Sequence, residues 1–175
     1  MEKKLNHISP TKYIFYKILF MAKEDFMREA IHLSTESVKN GGGPFGVVIV
    51  RNNKIIAYGT NRVVPNNDPT AHAEVCAIRE ACKVLGTVHL SGCEIYSSCE
   101  PCPMCLSAIY WAKIDRLYFA NTKKDAAAIN FADDFIYKEL KLPIKERTLP
   151  TFTMMRKEAL QAFYDWKENP NKIEY

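Results

Sequence analysis

The sequence predicts an α/β fold, a three-layer α/β/α sandwich built on a mixed sheet. Three observations carry that prediction. Two runs rich in β-branched residues, Gly46–Arg51 and Lys54–Thr60, are joined by Asn52-Asn53, a good two-residue turn for an antiparallel hairpin. After the hairpin, helical and strand patterns alternate, which calls for crossover helices covering both faces of the sheet. The chain has 175 residues, enough for one domain with a full core.

The elements follow in order. Over residues 24–40, Phe26, Ala30, Ile31, Leu33, Ser34 and Val38 recur at helical spacing, and Gly41 stops the helix. The hairpin comes next, then a turn-rich stretch over 65–69. Residues 71–85 read as a helix ended by Gly86, and 93–98 as a strand. A helix over 102–112 follows, with Pro101 suited to its start. Residues 115–120 form the next strand. Two further helices are expected over 130–140 and 156–167, with a short strand over 152–155. There are no internal repeats and no low-complexity segment.

Bulk properties narrow the function. An apolar fraction of 47% with 25% charged residues is ordinary for a soluble globular enzyme. No run of 18 apolar residues occurs. Residues 1–20 hold four lysines and one glutamate, so they carry +3 of the formal +4 and leave +1 for the rest. That segment looks slightly like a signal peptide, but Lys17 breaks its apolar region and no small-residue cleavage site follows. The chain therefore reads as cytoplasmic, with residues 1–20 an appendage to a single domain over 21–175. Deleting the appendage is expected to leave melting temperature and activity unchanged. A near-neutral body favours a small-molecule substrate over nucleic acid, whose binders show a basic stripe.

Six cysteines are present, at positions 76, 82, 93, 99, 102 and 105. In a chain read as cytoplasmic, a Cys-x-x-Cys suggests metal or redox chemistry rather than a disulfide. Cys76, Cys82, Cys93 and Cys99 are read as small apolar packing residues.

Two short pieces carry the chemistry: His72-Ala73-Glu74 and Pro101-Cys102-Pro103-Met104-Cys105. Each opens an expected helix after a loop or strand end. Cys102 and Cys105, three apart, share one helix face. The positive end of the helix dipole lowers thiol pKa there and favours the thiolate that zinc requires. With His72 as third ligand, the fourth tetrahedral position stays open for water, the arrangement of a catalytic site. Glu74 can then reach that water without binding metal, as a general acid and base. A structural zinc site would need a fourth Cys or His, and His7, His32 and His89 have no ligand spacing. The two pieces, with 27 residues between Glu74 and Cys102, match the His-x-Glu…Pro-Cys-x-x-Cys signature of zinc deaminases.

On these motifs the chain resembles the cytidine/deoxycytidylate deaminase superfamily. Within it, the stretches GGGPFGVVIV, DPTAHAEVCAIR, SSCEPCPMCLSAIYWA, DDFIYKEL and the terminal KIEY resemble the bacterial guanine deaminases, over roughly 21–175. The resemblance implies a cytidine-deaminase-like fold and the hydrolysis of guanine to xanthine and ammonia. It implies zinc held by His72, Cys102 and Cys105, with Glu74 moving protons. It further implies that Phe45 and Trp111 line a slot for the purine and that Asn61 bonds its polar edge. Asp133 and Tyr175 would close the site and help select guanine. A homodimer exchanging its carboxy-terminal segments is implied too, so that Tyr175 serves the neighbouring site. Ser107 stands where the family pattern suggests glycine. The same signature also accommodates tRNA adenosine, guanosine or cytosine deamination, and a structural zinc-binding protein is the reading from a different class.

Overall fold

The computed structural model describes residues 21–174. The expectations for residues 1–20 and for Tyr175 lie outside the described residues. Helix α1 (Lys23–Lys39) is followed by strands β1 (Gly46–Arg51) and β2 (Lys54–Thr60) and a single helical turn, α2 (Val63–Asn66). Next come α3 (Ala73–Leu85), β3 (Cys93–Cys99), α4 (Pro103–Trp111) and β4 (Arg116–Asn121). Short helices α5 (Lys123–Ala128) and α6 (Asp134–Lys141), a 3-10 turn (Ile144–Glu146) and α7 (Arg156–Glu168) complete the described chain.

Among the described residues the sheet has four strands in the order β2-β1-β3-β4. Strand β1 runs antiparallel to both β2 and β3, and β3 runs parallel to β4. The mixed sheet is thus as expected. Asn52 and Asn53 both take left-handed φ, 51° and 59°, which is what a two-residue hairpin turn of matching twist needs.

Strand alternation sends side chains to two cores. Val47, Ile49, Ala57 and Ile95 pack with Ala73, Ala77 and Ala81 of α3 and with Ile109 of α4. On the other face, Val48, Val50 and Tyr96 pack with Phe26 and Ala30 of α1. The small residues on α3 have a geometric reason. A Cβ added at Gly59 of β2 would lie 2.1 Å from the Ala73 carbonyl oxygen, so the helix rests directly on the strand backbone. That close seating fixes the height of the α3 N-terminus above the sheet.

Several boundaries move for identifiable reasons. Helix α3 begins at Ala73, because residues 71 and 72 are held in a turn by backbone bonds to Asp68 and Thr70. Helix α4 begins at Pro103, one residue later than expected. Proline suits the first helical position and forces the preceding residue into extended backbone, and Cys102 has φ −65° and ψ 168°. Asn130 sits at φ 70°, and α6 starts only at Asp134. The strand expected over 152–155 does not form; those residues are outside the sheet, and the segment ends with Met155 at φ 51°. Helices α2 and α5 were not expected.

Candidate active site

The two motifs converge at the N-termini of two helices. His72 is the N-cap residue of α3 and Cys102 the N-cap residue of α4, with Cys105 one turn into α4. Both N-caps have extended backbone, so their side chains project from the helix mouths rather than along a helix face. Cys102 Sγ lies 3.6 Å and Cys105 Sγ 3.4 Å from His72 Nδ1. One ligand atom from each of the three lies within 4.8 Å of the others. Tetrahedral zinc with ordinary Zn–S and Zn–N bonds separates sulfur from nitrogen by about 3.6 Å. The donor set and its spacing therefore fit that metal.

The electrostatics agree with the geometry. The Cys102 thiol is held down to about 4, first by its hydrogen bond with Cys105 and then by His72. Cys105 is pushed up by that same bond and by burial. His72 is raised, chiefly by its hydrogen bond with Cys102, with Glu74 adding to it. Glu74, at the second position of α3, is only 6% exposed. Burial raises its carboxyl above the ordinary range, against smaller lowering by its own backbone and by a hydrogen bond with Cys105. A buried carboxyl whose pKa is raised by desolvation is suited to acid–base work.

These groups open on a cleft of about 520 Å³. Phe45, Asn61, Val63, Val64, Met104, Phe131, Asp133 and Ile136 are among its lining residues, with His72, Glu74 and Cys102. Asn61 is buried, and its Oδ1 accepts the N–H groups of Gly43 at 3.2 Å and Val63 at 3.3 Å. Its amide therefore offers the cleft a donor. Phe45 meets Phe131 edge to face, with centroids 5.1 Å apart. Asp133, on the rim, has its carboxyl raised by burial, with Cys102 and Asp134 adding to the rise and Lys123 lowering it.

Trp111 is the site residue that the structure does not bring here. It is the last residue of α4, 67% exposed, and borders shallow depressions with Tyr110, Lys113 and Val88 instead of the cleft. Phe131, Val63 and Val64 line the cleft without having been expected there. The aromatic Phe131 beside Asp133 was the readable signal; the two valines lay just before a stretch read as turns. The four remaining cysteines are free thiols, with Cys93 and Cys99 buried and Cys76 and Cys82 half-buried. Ser107 is accommodated within α4, its hydroxyl donating to the Pro103 carbonyl at 2.8 Å.

Known proteins resemble this chain in sequence and fold. A family model described as the cytidine and deoxycytidylate deaminase zinc-binding region matches residues 21–121. The chain is 52% identical to guanine deaminase of Bacillus subtilis over 89% of its length and 100% of that protein's. The solved structure of Bacillus subtilis guanine deaminase superposes with a TM-score of 0.86, covering 89% of this chain and 99% of that one. A guanine deaminase structure from Nitrosomonas europaea matches at TM-score 0.63 and 32% identity, covering 73% and 76%. The tRNA-specific adenosine deaminase of Aquifex aeolicus is 40% identical over 59% of this chain and 69% of its own. By the matched region, the shared fold and the convergent His/Cys/Cys cluster, the chain belongs to the cytidine and deoxycytidylate deaminase family.

Proposed function

We propose that the protein hydrolyses guanine to xanthine and ammonia at a zinc centre held by His72 Nδ1, Cys102 Sγ and Cys105 Sγ. The observation that carries this reading is the meeting of those ligands with the buried Glu74 carboxyl on one wall of an apolar cleft. When bound, the metal supplies Lewis-acid activation of a water for attack on C2 of the purine. Glu74 takes the proton of that water, passes it to the ring nitrogen beside C2, and returns a proton to the departing amine. A C2–O bond from the water thus replaces the C2–N bond: the amino group leaves as ammonia, the proton it gains coming from the added hydroxyl, and C2 becomes a carbonyl. Phe45 presents a ring to the flat purine, Asn61 donates to the ring carbonyl, and Asp133 accepts from the purine N–H edge. Leaving such groups unpaired against a wrong base is how a buried polar site discriminates.

The homodimer belongs to the same proposal. Its support is the apolar surface on the carboxy-terminal segment, where Phe152, Met154, Phe163 and Tyr164 are exposed. Exchange of that segment would cover them and bring Tyr175 of the partner subunit to the cleft. Trp111, exposed at the end of α4, has no part in the cleft on this reading. Among the described residues no helix is long and apolar enough to cross a membrane. Six free thiols suit a reducing compartment, the cytoplasm.

The test is substrate turnover. Zinc-loaded protein is incubated with guanine, guanosine, adenine, cytosine and an adenosine-bearing tRNA hairpin, measuring ammonia and product. Selective formation of xanthine from guanine is expected. Turnover of another substrate alone keeps the zinc chemistry and overturns the guanine pocket; none at all, with zinc bound, restores a structural site.

A further inference from the structure

One wall of the cleft is held unusually. Residues 123–136, on α5, the following loop and α6, contribute Lys123, Ala126, Asn130, Phe131, Asp133 and Ile136 to the lining. Neither α5 nor α6 buries a single residue. Hydrophobic packing, which seats α1 and α3 on the sheet, therefore does little to fix the wall that carries Asp133.

Lys123 connects that wall to the metal-ligand loop through both its backbone and its side chain. Its N–H donates to Glu100 Oε2 at 3.0 Å, while the Glu100 N–H donates to the Asn121 carbonyl at 2.8 Å. The start of α5 is thus tied to the residue two before Cys102. The Lys123 ammonium then reaches across to α6. It lies 3.6 Å from Asp134 Oδ1 and 4.7 Å from the centroid of the Tyr137 ring. Tyr137 in turn donates its hydroxyl to the Pro101 carbonyl at 3.5 Å, back on the same loop. The path is closed: loop, α5, Lys123, α6, loop. Asp134 is the immediate neighbour of Asp133, so the ion pair acts one residue from the group proposed to read guanine. Other links exist, a weak Cys99 thiol bond to the Thr122 carbonyl and the Phe45–Phe131 ring contact. Neither of them joins α5 to α6.

We propose that Lys123 is a positioning residue that clamps the Asp133-bearing wall to the metal-ligand loop and thereby sets the affinity for guanine. The proposal rests on the guanine reading for its substrate, but the clamp itself is a property of the fold. Its ion pair is half-exposed and its ring contact partly wet, so its effect is a tuning one. Lys123→Met keeps the length of the stem and removes the charge. It is expected to raise KM for guanine about three- to tenfold. The turnover number should stay within about twofold, because the reacting groups are untouched. Asp134→Asn should reproduce most of that rise, and Lys123→Arg should restore most of the affinity.

Zinc content and melting temperature, measured alongside, show whether each variant retains its metal and fold. Hydrogen exchange of peptides covering 123–136 supplies an arm that needs no substrate, and Lys123→Met should speed it there and not in β1 or β3. Unchanged exchange in that segment overturns the clamp. So does a KM rise in Lys123→Met with a normal KM in Asp134→Asn, which would make Lys123 a direct substrate contact. Faster exchange in a protein whose parent does not turn over guanine overturns the substrate reading and leaves the clamp standing.

Discussion

Glu74 combines two properties that are usually opposed. Its carboxyl is almost wholly buried, yet it stands two residues from His72 and, on the proposed mechanism, must exchange protons with water. Burial raises its pKa, while its own backbone and its hydrogen bond with Cys105 limit the rise. Glu74→Gln keeps the shape and removes the proton shuttle. Zinc content measured by atomic absorption should stay at the parent level, and turnover should fall by about 10²–10⁴. A Gln variant with full activity would dismiss the mechanism. Glu94 offers a contrasting case at the other end of β3. Its carboxylate accepts the Tyr96 hydroxyl at 2.7 Å and an Arg116 bond at 2.7 Å. Those partners lower its pKa, the Tyr96 bond first. A depressed carboxyl stabilises the fold above its unfolded pKa, and that stabilisation is lost as pH falls through the folded value. Glu94→Gln should therefore cost about 1–2 kcal/mol at pH 7, a drop in Tm of roughly 2–8 °C. The gap between variant and parent should close as the pH is taken well below the ordinary glutamate range of about 4.3, which thermal melts across that range will show.

At the scale of elements, the α3 mouth is placed by a glycine. A methyl group at Gly59 would sit 2.1 Å from the Ala73 oxygen and 2.8 Å from the Ala77 nitrogen, so alanine there must lift α3 off β2. The helix carries both His72 and Glu74, and the displacement reaches the chemistry. Gly59→Ala is expected to cost about 1–3 kcal/mol or more and to lower zinc affinity together with Tm. Gly46→Ala presses on α1 instead, through the Ala30 oxygen and Ser34 nitrogen at 2.4 Å each. It should lower Tm while the metal stays bound, and a metal titration of the two variants separates them. This contrast also marks how far the sequence could be read. The four strands and the helices that cover them were legible because their burial patterns repeat over many residues. So was the pairing of the His72 and Cys102/Cys105 motifs, which the fold brings close enough to hold a metal ion. Helix α5 was not, since six residues capped by Thr122 and Asp125 are too few for a period to emerge. Helix α2 contains Pro65 in its one turn and read as a loop. Residues 152–155 have strand-like composition, but a strand exists only against a partner, which composition cannot supply. Trp111, implied by the family resemblance alone, is not among the residues that line the cleft of the described chain.

For the whole molecule, the distribution of burial is lopsided. The cores lie between α1, the sheet, α3 and α4, whereas α5, α6 and α7 bury nothing among the described residues. Helix α7 nevertheless carries Phe163, 73% exposed, with Tyr164 and Trp166 nearby, and the extended stretch before it exposes Phe152 and Met154. A lone soluble domain seldom leaves so many large apolar groups in one segment uncovered, and contiguous patches of that kind mark interfaces. Among the described residues strand β4 is the last strand of the sheet, so its outer edge is open to a further strand. A second copy would meet both needs at once, the unpaired strand-like segment and the open sheet edge, by symmetric exchange. On the proposed dimer, sedimentation equilibrium should give about twice the 20.0 kDa chain mass. Phe163→Glu, which places a charge in the covered surface, should shift that mass towards the monomer. It should also lower guanine turnover without removing zinc, because the ligands lie outside the exchanged segment and the closing residue comes from the exchanged tail. A monomeric parent with full guanine activity would show that each chain completes its own site, and the exposed face of α7 would then need a different occupant.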